Sequence, residues 1–466
     1  MSAGELAVET TPVPGLLVVR LPVHEDARGW FKENWQRAKM TALGLPDFGP
    51  VQNNMSFNVR RGATRGLHAE PWDKFVSVAC GRVFAAWVDL REGESFGRTF
   101  WMESGPETAV FVPGGVANAY QALEDGTVYS YLVNDHWRPG KPYPAADVAD
   151  PALAIPWPIP LDSPEVELSE KDRANPLLAD VVPMQPKPAL VLGGGGQLGR
   201  ALASAFPQAT VLTRAELDLT DPDALAAVDW SAYGTVVNAA AYTAVDAAET
   251  PEGRVAAWAA NATAPALLAW AAREHGFTLV HYSSDYVFDG VAPVHAETEP
   301  LAPLGVYGQS KAAGDLAVAT SPRHYVLRTS WVVGDGANFV RTMRRLARDG
   351  VSPAVVDDQV GRLTFTSTLA AATRHLLETG APYGVYHVSN SGEPLSWRAV
   401  AAEVFALSGR SRDDVTATTT AEYAAGRTPV APRPLNSTLD LAKLEATGFR
   451  PEPQLEALRA YLGSSA

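Results

Sequence analysis

The sequence predicts a two-domain protein, an N-terminal all-β sandwich or barrel followed by a C-terminal α/β domain built on a doubly wound parallel sheet. Three observations predict it. The chain has 466 residues, enough for two or three independent cores. Prolines 176, 183, 186 and 188 crowd one short stretch, NPLLADVVPMQPKP. The apolar pattern changes character across that stretch.

Upstream, short segments rich in Val, Phe, Trp and Tyr recur at Phe75 to Val78, Arg82 to Leu90, Thr108 to Val112 and Thr127 to Val133. Gly, Pro and charged residues separate them, the spacing of an antiparallel sandwich or barrel. Residues 1–182 form this domain, and the proline-rich segment 183–188 reads as a linker. From 189 to 466, strand-like runs (Ala189 to Leu192, Thr235 to Asn238, Thr278 to Ser283, Tyr325 to Thr329) alternate with alanine-rich helical ones, the first from about Gln197. That alternation predicts a parallel sheet covered on both faces.

Composition narrows the class. With 46% hydrophobic and 19% charged residues the balance is that of an ordinary globular protein. No uninterrupted apolar run is long enough to cross a bilayer, so no membrane partner is expected. A net charge of −14 supplies no basic field for a polyanion, which argues against nucleic acid, although a local cluster could grip a diphosphate. The opening MSAGELAVETTPVPG lacks the basic and apolar regions of a secretion signal, and a cytoplasmic location is expected. The single cysteine, Cys80, cannot form an internal disulfide. Its place in the apolar run Phe75 to Val88 predicts a small buried side chain without a chemical role.

In the C-terminal half, ALVLGGGGQLGRAL sets Gly193, Gly196 and Gly199, with Gln197 and Leu198, between a buried strand and a helix. That is the context of a dinucleotide fingerprint, in which backbone amides approach a pyrophosphate. A plain glycine turn is the bland alternative. After the next strand come Arg214 and Asp218; an arginine there suits a 2'-phosphate, favouring NADPH with NADH as the alternative. Tyr307 and Lys311, four apart at the start of an alanine-rich helix, share one face. A nearby ammonium stabilises a phenolate and would lower the tyrosine pKa from about 10. Ser284, at a strand end, could hydrogen-bond a substrate oxygen, completing a carbonyl-reducing set. Taken alone, Tyr-x-x-x-Lys is common on surfaces.

In the N-terminal half, Arg65-Gly-Leu-His68 offers a cation beside an imidazole, with Lys74 close behind. A lone histidine is more often structural. Tyr131 lies in a strand-like run and Asp172 in the polar segment LSEKDRANP, and a carboxylate on the far ring nitrogen would orient the base. A metal barrel is the rival, but such sites need several His or Glu ligands, and Asn118 stands where a ligand histidine is expected. No metal is expected.

These residues carry two resemblances. From about residue 188 onward the chain resembles the extended short-chain dehydrogenase/reductases, and within them the dTDP-4-dehydrorhamnose reductases, through GGGGQLG, VNAAAYTAVDAAE, HYSSDYVFDG, YGQSK, RTSWV, DQVGR and RPLNS. The resemblance implies a Rossmann-type fold with Ser284, Tyr307 and Lys311 catalytic, Ala239, Ala240 and Ala241 along the coenzyme, and Thr243, Val245, Tyr286 and Trp331 near the sugar nucleotide. Ser284 replaces the more frequent threonine, and Arg362-Leu363 replaces a small residue plus proline. Over about residues 10 to 180 the chain resembles the dTDP-4-dehydrorhamnose 3,5-epimerases, metal-free cupin-like jelly rolls, through ARGWFKE, VQNN, TRGLH, GRVFAAWVDLR, FVPGGVANAY and LSEKDRANP. That resemblance implies His68 as base held by Asp172, Tyr131 as acid, Lys74 steadying the enolate, and Arg28, Glu33, Gln52, Asn54, Arg65 and Asn118 on the substrate. A homodimer through this domain is expected. Ala85 stands where the family usually has aspartate, Asn118 where it has histidine, and Leu132 where a basic residue is common.

Together the resemblances imply a bifunctional enzyme of dTDP-L-rhamnose formation acting on a dTDP-sugar. Carbons 3 and 5 both flank the carbon-4 ketone, and reduction destroys the acidity of their protons, so epimerisation precedes reduction. The alternatives are a reductase whose first domain epimerises one centre or only binds nucleotide sugar, or a different 6-deoxysugar product.

Overall fold

The computed structural model describes residues 5–137 and 143–464. The chain divides into two compact units, Met1–Pro186 and Lys187–Ala466.

The first unit is a β-sandwich. Its strands are β1 (Ala7–Thr10), β2 (Leu17–Arg20), β3 (His24–Asp26), β4 (Gly29–Phe31), β5 (Gln52–Asn58) and β6 (Thr64–His68). They continue with β7 (Lys74–Cys80), β8 (Val83–Asp89), β9 (Thr99–Ser104), β10 (Thr108–Val112), β11 (Val116–Ala122) and β12 (Thr127–Val133). One sheet has the order β1-β2-β10-β7-β12-β5 and the other β6-β11-β8-β9, while β3 and β4 form a separate hairpin. Pairing within both main sheets is antiparallel. The core lies between them, where Val18, Val76, Val110 and Tyr129 meet Val83, Trp87 and Tyr120; each fully buried aliphatic side chain there contributes about 1.5–3 kcal/mol. β6 approaches β11 closely at Gly66, whose φ is +114° and where a Cβ would come within 2.6 Å of Ala119.

Cys80, expected to be buried, is exposed: the β7–β12 register shifts between Val128 and Tyr129, so Cys80, at the end of β7 before the Gly81 turn, does not continue the core-facing row of Val76 and Val78. The segment expected as a linker is held on this unit as far as Met184, which is hydrogen-bonded to Leu90 and Glu92. Pro188 already accepts from Gly234 of the second unit. The continuous helical stretch Pro251–His275 is long and apolar enough on average to cross a bilayer, although Arg254, Asn261 and Thr263 keep it from being an uninterrupted apolar run. Its inner face, with Leu268, Ala269 and Ala272, packs into the second unit's core.

In that second unit β13 (Ala189–Leu192), β14 (Thr210–Leu212), β15 (Thr235–Asn238), β16 (Thr278–Ser284) and β17 (His324–Thr329) form one sheet with Gly384–His387. The order is β14-β13-β15-β16-β17 and then that last strand, all parallel. Successive residues feed opposite layers: Leu190, Val236 and Leu279 pack on one face, Val191, Val237 and Val280 on the other. Helices therefore cover both faces, as a parallel sheet requires. The strand order reverses between β13 and β15, which opens a crevice at their C-terminal ends.

Candidate active sites

Two constellations stand out, one in each unit. In the sandwich, β6 ends at His68, and a four-residue helix, Glu170–Arg173, carries Asp172. Ser169 caps that helix, its Oγ accepting from the Asp172 N–H at 3.1 Å, and so fixes the carboxylate. Asp172 is buried, and its Oδ1 lies 2.7 Å from His68 Nε2. A carboxylate in that place accepts from Nε2–H and leaves the Nδ1 lone pair free as a base.

Lys74 starts β7 and is buried. Its Nζ donates to Asn118 Oδ1 at 2.6 Å and to the His68 carbonyl at 3.4 Å, and pairs with the Glu70 carboxylate. Asn118 sits opposite His68 across the β6–β11 ladder, so the residue found in place of a histidine is used as an acceptor for the lysine. Ala85 is buried in the core, and the carboxylate beside the lysine comes from Glu70. Tyr131, on β12, is pushed above its ordinary pKa by burial and then by the negative charge of Glu70, while Arg65 pulls the other way. It therefore stays protonated at neutral pH.

The remaining residues expected on the substrate are less tightly gathered. Arg65 reaches Asn58 at 3.4 Å. Gln52 and Asn54 bond each other at 2.7 Å, and Gln52 also meets His136. Arg28 is exposed on the β3–β4 hairpin and bound to Asp26, and Glu33 is paired with Lys39. Neither has a polar contact with His68, Lys74 or Tyr131 in the single chain. Among the described residues no three His, Cys, Asp or Glu side chains converge as a metal would need.

In the second unit the glycine loop follows β13. Gly193 has φ +80°, and a Cβ there would come within 2.7 Å of the Ala240 amide. A Cβ at Gly199 would meet the Gly193 carbonyl at 2.2 Å. By contrast a Cβ at Gly195 would enter nearly open space, 3.9 Å from Thr213. The helix Gln197–Ala205 begins at Gly196 with no side-chain cap, so its first amides are available to an anion. This cradle fits a dinucleotide pyrophosphate. Leu198 packs inward against the core, and the Gln197 side chain braces the loop at Gly334 and Ala337. Arg214 is exposed and paired with Asp218 at 3.2 Å, beyond the end of β14. Ala239, Ala240 and Ala241 follow β15, with the Ala240 N–H bound to Asn238.

The helix Val306–Val318 carries Tyr307 and Lys311. It has no side-chain cap of its own, and Glu249 takes that role, accepting from the Val306 N–H at 2.8 Å. Asn261, buried in a π-helical turn at 259–263, grips both backbone groups of Tyr242 and the Ser310 hydroxyl. It thus ties the loop carrying Thr243 and Val245 to the catalytic helix. Ser284 ends β16; its Oγ donates to Asp285 at 2.9 Å and accepts from the Tyr286 N–H at 3.2 Å. Lys311 Nζ donates to the Tyr282 carbonyl at 2.5 Å and lies 3.3 Å from His281 Nε2.

The pKa pattern differs from the expectation. Tyr307 is pushed up to about 12, first by burial and then by Asp285, while its hydrogen bonding with Ser284 pulls it down. Lys311 falls to about 8 because burial disfavours its charge. The lysine is engaged by Tyr282 and His281, and it does not bring the tyrosine below its ordinary value.

Tyr286 meets Tyr307 edge-on with centroids 5.5 Å apart, and Trp331 stacks on Trp397 at 3.7 Å. Tyr286, Trp397, Gln359 and Arg433 line a cavity of about 380 Å³. Arg433 is paired with Asp246 at 2.8 Å. It opens the RPLNS motif, whose arginine has no spacing signal of its own. Arg362 donates to the carbonyls of Gly392 and Leu439, so it braces the backbone. Glu70, Asp285, His281 and Asn261 were also missed; nothing in their spacing separates them from ordinary core or turn residues.

An oriented histidine in a sandwich, followed by a parallel-sheet unit that carries both a glycine cradle and a Ser, Tyr and Lys set, defines a proton-transfer domain joined to a short-chain reductase. Residues 10–180 match the model of dTDP-4-dehydrorhamnose 3,5-epimerase, and residues 187–466 match that of the RmlD substrate binding domain. An RmlC homolog from Streptococcus pyogenes is 49% identical over 186 residues, covering 38% of this chain and 92% of that protein. A dTDP-4-dehydrorhamnose reductase from Aggregatibacter actinomycetemcomitans is 38% identical over 296 residues, covering 58% and 98%. The crystal structure of dTDP-4-dehydrorhamnose reductase from Bacillus anthracis in complex with NADP superposes with a TM-score of 0.55 at 31% identity, covering 60% and 100%. The chain belongs to both families, the dTDP-4-dehydrorhamnose 3,5-epimerases through its first unit and the dTDP-4-dehydrorhamnose reductases through its second.

Proposed function

We propose that the chain catalyses two consecutive steps at one ketone, epimerising dTDP-4-keto-6-deoxy-D-glucose at carbons 3 and 5 and then reducing carbon 4 with NADPH to give dTDP-L-rhamnose. The carrying observation is the pairing, in one polypeptide, of the His68–Asp172 dyad beside Lys74 with the Ser284, Tyr307 and Lys311 set beside a dinucleotide loop.

In the first unit Asp172 holds His68 so that Nδ1 removes a proton from a carbon next to the ketone. The Lys74 ammonium steadies the enolate oxygen. Tyr131, protonated by virtue of its surroundings, returns a proton from the opposite face. In the second unit a coenzyme held by the glycine loop at Gly193, Gly196 and Gly199 would supply the hydride. Tyr307, held protonated, gives its proton to the carbon-4 oxygen, and Ser284 orients that oxygen. Lys311 is charged below about pH 8 and supports the tyrosine as its proton leaves. Arg214 suits the 2'-phosphate, which supports NADPH.

The first unit pairs with a second copy. β5 is an edge strand whose Met55 and Phe57 are exposed, with Val59 just beyond it, and an open apolar edge invites a further strand. Analytical ultracentrifugation of Phe57→Asp tests this, with a monomer expected.

The activity itself is tested by incubating dTDP-4-keto-6-deoxy-D-glucose with the full chain, with and without NADPH, and following the sugar by NMR. Epimerised ketone without NADPH and dTDP-L-rhamnose with it support the reading. Reduction to a product with unchanged carbons 3 and 5 would refute it.

A further inference from the structure

We infer that Glu70 is a positioning residue of the epimerase site, its carboxylate holding the Lys74 ammonium against the Asn118 amide oxygen beside the strand that ends in the base. The inference rests on reading the first unit as an epimerase.

Lys74 is 4% exposed, and a buried ammonium is costly unless a counter-charge and acceptors surround it. Its nitrogen is ion-paired with the Glu70 carboxylate and donates to two acceptors, Asn118 Oδ1 at 2.6 Å and the His68 carbonyl at 3.4 Å. The first two contacts fix the nitrogen. The third is long enough to be exchanged for a substrate oxygen. Glu70 is itself rigidly carried: its carbonyl accepts from the Gly115 N–H at 2.8 Å, and the neighbouring Ala69 N–H donates to Pro144 at 2.9 Å. A catalytic cation is useful only when its support is held in this way. The same carboxylate acts on Tyr131, which is also faced by Tyr120, Tyr129 and Arg65, so one side chain touches the function of both the cation and the acid.

The test follows deuterium entry at carbons 3 and 5 of dTDP-4-keto-6-deoxy-D-glucose in D₂O, using the full chain without reductant. Wild type must exchange and His68→Asn must not; failure of either ends the epimerase reading itself, before Glu70 is at issue. Given both, Glu70→Gln is expected to lower kcat for exchange about 100-fold while KM stays within about threefold. Its alkaline limb should move to lower pH, because Tyr131 loses a charge that raises its pKa, and Glu70→Asp should recover most of the rate. A purely structural role would lower the rate without moving the limb. Should Glu70→Gln fail to melt cooperatively, Glu70→Gln/Lys74→Met removes both charges together and is compared with Lys74→Met alone, with equal rates expected. Glu70→Gln turning over within about threefold of wild type, an unmoved limb, or a double variant clearly slower than Lys74→Met would overturn the assignment.

Discussion

The two sites solve different problems with opposite use of water. His68 keeps 39% of its side chain exposed while the Asp172 carboxylate behind it is nearly buried. Tyr307 and Lys311 sit in a pocket that excludes water enough to raise the phenol to about 12 and lower the amine to about 8. An epimerase must exchange protons, so its base is oriented from behind and left open in front. A reductase must keep water from the reducing step, so its lysine is wholly buried and its acid, half-buried, is packed among fixed groups.

That contrast can be broken or sharpened by experiment. The largest effect is expected from Tyr307→Phe, which should cut NADPH oxidation by up to about 10⁴-fold and leave deuterium exchange untouched. An equal loss of both activities would show that the two sites are not independent. His68→Asn should do the converse, slowing exchange by about 10²–10⁴-fold while preformed dTDP-4-keto-L-rhamnose is still reduced at the wild-type rate. Asp172→Asn keeps the shape but loses the charge that orients the ring, and a loss of about 10²-fold in exchange is expected, read by the same NMR assay.

A smaller effect concerns pH. Burial lowers Lys311 to about 8, so its charge is present below that value and lost above it. The rate of reduction should therefore decline as pH rises through about 8, and a flat profile to pH 9.5 or so would remove the lysine from the chemical step. The smallest effect is expected at Arg214, which is exposed: Arg214→Ala should raise KM for NADPH about tenfold, roughly 1.4 kcal/mol, with little change for NADH.

Much of this was legible in the sequence, and the reasons differ between the halves. The strand Ala189–Leu192 and the helix start at Gln197 were visible because a buried strand, a glycine turn and an alanine-rich run have distinct local signatures. The Tyr307–Lys311 pair was visible because four-residue spacing is a helical property. The His68–Asp172 contact joins residues 104 apart, which no periodicity encodes; only the family motifs brought them together. Glu70 stayed invisible because it lies in the turn between β6 and β7, where a carboxylate reads as ordinary surface. His281 was hidden in the wholly buried run of β16, which shows no alternation. The Tyr307 shift runs opposite to the sequence expectation because burial outweighs a lysine that is bound to other acceptors.

The central claim is that one ketone is used twice, first to loosen its neighbouring hydrogens and then to accept hydride. The direct measurement is the isotope content of the final sugar made in D₂O with NADPH present throughout. Deuterium at both carbon 3 and carbon 5 of the dTDP-L-rhamnose formed is the expected result. Stoichiometric NADPH consumption yielding a sugar with protium at both positions would contradict it.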